Sequence, residues 1–206
     1  MRRNKAHWSA VLVAASLGLI TMAGAQETGS GTGATKPKLS PQQTYIDMRR
    51  MMIEGPRSKF GLPPTSSPTG PWGVVMDQGF EKGVITTVAM SDGSASLYFS
   101  NGGGFIGGKG QEPIKNAAQA AVRVAQDFTA LMKPTNEYPV AGNGEVTLYL
   151  MTDSGVLTAK AELADVKNGL GQFAPLWRAM ENVAVEYRRW DQGGRKGGGG
   201  TLTPPK

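Results

Sequence analysis

Two short turns settle most of what this chain can become. Ser91-Asp92-Gly93-Ser94 and Asp153-Ser154-Gly155 each separate two stretches rich in β-branched and apolar residues, 84–90 and 95–100 around the first, 146–152 and 156–163 around the second. Asp and Gly tolerate the backbone angles of tight hairpins, so each turn closes an antiparallel pair. Residues 72–76 add one further strand. Pro113 opens a helix to about residue 132, where Ile114, Ala117, Ala118, Ala121, Val122, Ala125, Phe128 and Met132 recur at helical spacing. Residues 175–190 repeat that pattern with Leu176, Trp177, Met180, Val183, Ala184 and Tyr187. The order of three strands, helix, two strands and helix predicts an α+β domain over 72–190. Its sheet is expected to be single, five-stranded and antiparallel, with helices packed on at least one face.

The N-terminus bears on where such a domain works. Arg2, Arg3 and Lys5 precede an uncharged, largely apolar stretch over 8–22, and Ala23-Gly24-Ala25 has the small residues of a cleavage site. Residues 1–25 therefore read as a cleavable signal peptide, and the protein is expected to be exported, periplasmic or extracellular. The apolar stretch is short for a membrane anchor, so no transmembrane segment is expected after cleavage. Removal leaves 19 basic residues against 16 acidic ones, a charge of +3. That is too mild to point to nucleic acid, although it permits weak contact with an anionic envelope surface.

Cleavage also removes His7, the single histidine, from a chain that contains no cysteine. Ser-His-Asp triads and Cys-His pairs are thereby excluded, as are the usual zinc, copper, haem and iron–sulfur ligand sets. Disulfides are excluded too. The fold must rest on an ordinary hydrophobic core, and no cofactor is expected.

Flanking segments differ sharply from the domain. Residues 26–39 are rich in Gly, Thr and Lys and read as a flexible leader; residues 191–206 are rich in glycine and read as a disordered tail. Ser40-Pro41-Gln42-Gln43 has the form of a helix start, with Ser40 as the cap and Gln43 able to complete a capping box. The helix spans 40–53, with Tyr45, Met48 and Met52 as its apolar stripe. A linker over 54–71 holds Pro56, Pro63, Pro64, Pro68 and Pro71. The helix either docks on the domain or meets a partner, and the marginal stability of short isolated helices favours docking.

The glycine-rich stretch from Asn101 to Gly110 links a strand to a helix, as phosphate loops do. Gly103 with Gly108-Lys109 fits a G-x-x-x-x-G-K pattern, but Gly110 stands where a hydroxyl residue should hold magnesium. Gly102, Gly104 and Gly107 fit G-x-G-x-x-G, yet the strands before them form a hairpin and not a βαβ unit. Two readings remain: the glycines bend the backbone, or bare N–H groups with Lys109 form a small anion or ligand contact at Gly102, Gly103, Gly104, Gly107 and Gly108. Asp77 and Glu81 around a turn, with Asp92 and Asp153 in the hairpins, are the carboxylates open to a hydrolytic role. Arg188, Arg189 and Trp190 mix charge with an aromatic ring, which suits either surface contact or the dipole at a helix end.

The run Pro71-Trp72-Gly73-Val74-Val75-Met76, with Ser96-Leu97-Tyr98-Phe99-Ser100-Asn101-Gly102-Gly103-Gly104, resembles a group of uncharacterised exported bacterial proteins of unknown function. The resemblance implies a bacterial source and carries no catalytic or binding residues. These observations together lead to the expectation of a non-catalytic exported domain that binds a protein or a small ligand. The rival readings are a carboxylate-dependent hydrolase and an envelope-associated structural component.

Overall fold

The computed structural model describes residues 40–64 and 67–194. The expected signal peptide, the leader over 26–39 and the tail from residue 195 onward lie outside the described residues. The chain forms α1 (Pro41–Glu54), β1 (Gly73–Phe80), β2 (Gly83–Met90), β3 (Ala95–Phe99), β4 (Gly104–Ile106), α2 (Glu112–Ala125), β5 (Lys133–Thr135), β6 (Glu145–Thr152), β7 (Gly155–Glu162), α3 (Leu163–Lys167) and α4 (Ala174–Gly194). The seven strands make one antiparallel sheet in the order β4-β3-β2-β1-β6-β7-β5.

Among the described residues, seven strands and four α-helices correct the expectation of a five-stranded sheet. Both extra strands lie at the sheet's edges and contain three residues each. An edge strand pairs on one side only, so Pro134 is tolerated in β5 despite lacking an N–H. Gly104 in β4 is required for a different reason: a Cβ there would run into the Leu97 carbonyl of the neighbouring strand. Glycine and proline, which usually punctuate strands, are thus part of the pairing here. Gln78-Gly79-Phe80 is likewise strand and not turn, because Gly79 lets the Ala141–Gly142 backbone approach β1 where a side chain would collide with it. α4 runs four residues past Trp190.

β1 lies at the centre, and Gly73 to Gly79 are all buried, as expected for a strand covered on both faces. Val74 and Met76 of β1, Ala89 of β2, Leu97 and Phe99 of β3, and Leu148 and Leu150 of β6 face α2 and α4. Val75, Val88, Tyr98, Tyr149 and Met151 face the other way and are covered by α1 and the segment after it. On α1 the buried residues are Tyr45, Arg49, Met52 and Ile53, which share one side of the helix. Burial of each of the three apolar ones is worth about 1.5–3 kcal/mol. Ser40 caps the helix through its hydroxyl, which accepts from the Gln43 N–H at 3.1 Å, but the Gln43 side chain donates to Asp47 and leaves the capping box half made.

Arg49 fixes where α1 sits. Its guanidinium donates to Asp77 on β1 at 2.8 Å and to the Tyr138 and Pro139 carbonyls at 2.8 and 3.0 Å. Asp77 also accepts from Thr86 at 2.6 Å, and Thr86 in turn accepts from the Tyr45 hydroxyl at 2.8 Å. Asp77 has no solvent exposure, so burial pushes its carboxyl upward while Arg49 and Thr86 pull against that shift. This cluster is closed on every side. It is a clasp between helix and sheet, with Asp77 fully buried and bonded to Arg49 and Thr86.

Candidate functional site

On the opposite face, α4 leaves a gap above the β1–β2–β3–β4 side of the sheet. A helix that rests on a twisted sheet touches it along one stripe. Here Leu176, Met180, Val183 and Tyr187 make the buried contact. The adjacent stripe of Trp177, Glu181, Ala184, Arg188 and Asp191 overhangs a cavity of about 230 Å³. Phe80, Ile85, Leu97, Phe99 and Phe105 form its floor and apolar walls, and Lys167 stands at the mouth. Phe105 reaches in from β4, stacked on Tyr187 with centroids 5.5 Å apart and edge-on to Trp190 at 6.1 Å.

One wall is polar and internally satisfied. The Trp177 indole N–H donates to the Gln78 side-chain oxygen at 2.9 Å, the Gln78 amide donates to one Glu181 oxygen at 3.0 Å, and Arg188 donates to the other at 2.6 Å. Gln78 is only 2% exposed, so an unpaired amide there would be costly. The relay holds the Trp177 ring against the opening. Lys167 is exposed on α3, its ammonium 5.5 Å from the Phe80 ring centroid, within cation–π range.

The glycine-rich stretch serves this cavity in an unexpected way. Gly102 and Gly103 carry positive φ in the β3–β4 turn, and Gly107 carries it after β4. Gly108 is buried, and a Cβ there would meet the Tyr187 hydroxyl; its N–H donates to that hydroxyl at 3.1 Å, and the hydroxyl donates to the Ala95 carbonyl at 2.7 Å. Lys109 does not turn toward the glycines. Its ammonium donates to Asp92 at 2.7 Å, and together with bonds from Ser94 it holds the Asp92 carboxyl below its usual range, in spite of the partial burial that opposes this. The loop therefore delivers Phe105 to the cavity wall, while its one cation is engaged elsewhere.

The remaining sequence candidates are dispersed. Asp153 pairs with Arg57, Asp92 with Lys109, and Asp77 with Arg49, while Glu81 is exposed in the β1–β2 turn. Arg188 faces the cavity, whereas Arg189 pairs with Glu186 at 2.5 Å. Trp190 is 46% exposed. Among the described residues no three His, Cys, Asp or Glu side chains converge to hold a metal ion, and no helix is long and apolar enough to cross a membrane.

No family model, curated protein or solved structure matches the chain. The site is read from its own chemistry alone. Gln78, Glu181 and Lys167 are its key polar residues, and sequence reasoning missed all three. The available signal was a break in pattern, with Glu181 and Arg188 aligned with Trp177 and Ala184 on one helical stripe, and Gln78 beside Asp77 in a strand whose other residues are apolar or glycine.

Proposed function

We propose that this protein is an exported, non-catalytic binding domain whose ligand occupies the cavity between α4 and the sheet. The supporting observation is the combination of aromatic and aliphatic walls with a single polar wall whose hydrogen bonds are already made. Such a site can lose its water to an apolar ligand without leaving a buried polar group unpaired. At about 230 Å³ it is smaller than the roughly 300–1,000 Å³ of drug-sized sites, so the ligand is a single ring or a short branched chain. Export rests on the N-terminal sequence and on the resemblance to exported bacterial proteins.

The geometry gives the hydrolase reading little support. The acids at the cavity are Glu181 and Asp191, ten residues along one helix and so about 15 Å apart on its axis. Paired glycosidase carboxyls lie about 5–9.5 Å apart. The test is a titration of small aromatic and branched aliphatic compounds into isotopically labelled protein, followed through the Trp177 indole N–H resonance, which a Trp177→Phe variant assigns. A saturable shift of that signal is expected. A compound set that leaves it unmoved refutes the proposal.

A further inference from the structure

The charges around the cavity suggest what its ligand must carry. Four cations elsewhere in the fold face carboxylates: Arg49 faces Asp77, Arg57 faces Asp153, Lys109 faces Asp92, and Lys160 faces Glu145. Within the cavity, Glu181 is occupied at both oxygens, by Gln78 and by Arg188. Asp191, the other acid at the mouth, is itself engaged. Lys167 differs from all of these. It lies at the mouth with its ammonium over the Phe80 ring and no carboxylate partner among the described residues. The ring holds the ammonium at the rim, and one face of that charge remains open to a ligand. Arg188 stands alongside, about half exposed, with one of its nitrogens bound to Glu181.

Building on the cavity reading above, we infer that the ligand is a small organic anion, with an aromatic or branched apolar body among Phe80, Leu97, Phe99, Phe105 and Trp177 and an acidic head at Lys167. The apolar floor offers no partner for a charge, so the head goes to the cationic rim, where Lys167 has no carboxylate partner while Arg188 already holds Glu181. A cationic ligand of the same shape meets Lys167 and Arg188 at the entrance. A neutral one gains the apolar contacts and loses the charge-assisted hydrogen bond.

Calorimetric titration of the protein with phenylacetate, phenylacetamide and phenethylamine separates these terms, because the three share a ring and a chain and differ in charge. Phenylacetate is expected to bind about tenfold tighter than the amide, with the amine weakest. Lys167→Gln, at an exposed position, is expected to bring phenylacetate down to the affinity of the amide while leaving the amide unchanged. Lys167→Arg should keep the preference, and added salt should shrink it in the wild type. Equal binding of all three compounds, or an anion preference that survives Lys167→Gln, overturns the inference and leaves the cavity reading standing. Failure of all three to bind, with the Trp177 resonance unmoved, overturns both.

Discussion

Replacing Arg49 with methionine tests whether the clasp between α1 and the sheet is built as described. The substitution keeps most of the aliphatic stem and removes the guanidinium, which leaves Asp77 with no exposure and a single partner, Thr86. It also removes the Arg49 donor from the Tyr138 carbonyl and leaves the Pro139 carbonyl with the Tyr149 hydroxyl alone. Breaking a buried ion pair on one side costs about 3–5 kcal/mol. For a domain of this size that is a fall in melting temperature of roughly 6–20 °C. The loss should depend on pH in a particular direction. Burial already pushes the Asp77 carboxyl up, and without Arg49 it rises further, so the variant folds most readily with that carboxyl protonated. A folded-state pKa above the unfolded one means stability is lost as pH rises through it, so the deficit should widen from acid toward neutral pH. Urea unfolding followed by circular dichroism, at several pH values, measures both effects. The double variant Arg49→Met with Asp77→Leu should lose less than the two single variants added together, since no charge is then left buried. A single variant within about 1 kcal/mol of wild type at all pH values would refute this account of how α1 is held.

Two further outcomes follow from the core and the loop. Thr87 is fully buried on β2 and its hydroxyl has no hydrogen-bond partner, so Thr87→Val, which removes that hydroxyl at nearly constant shape, should raise stability by about 1 kcal/mol in the same urea assay. Asp92 is held below its usual carboxylate range by Lys109 and Ser94, so its contribution is complete above the unfolded-state value near 3.9 and disappears as pH falls through the lower folded value. Asp92→Asn should therefore flatten the acid limb of the stability curve, and an unchanged limb would count against the Lys109 pairing.

Which elements the sequence reveals depends on how many residues declare them. The two hairpins are legible because Asp92-Gly93 and Asp153-Ser154 occupy turns that few other residues suit, between strands of five to eight residues. α2 and α4 are legible because their apolar periodicity repeats over several turns. β4 and β5 are not, since three residues show no alternation and Gly104 and Pro134 mimic loop signals. α3, with five residues, is equally silent. At the candidate site the difficulty is one of distance along the chain. Gln78 and Trp177 touch across 99 residues, and Lys167 and Phe80 across a similar span, so no local motif records them. The glycine-rich stretch attracted attention through its composition, yet its contribution is a tight path that places Phe105.

Whether a ligand occupies the cavity beneath α4 is decided by intermolecular nuclear Overhauser effects between bound phenylacetate and the protein. Cross-peaks are expected from the ligand's ring protons to the Ala184 and Ile85 methyl groups and to the Leu97 methyls, all of which line the gap beneath α4. Cross-peaks confined to residues outside that lining, or none from a ligand that calorimetry shows to be bound, would contradict occupancy of the cavity.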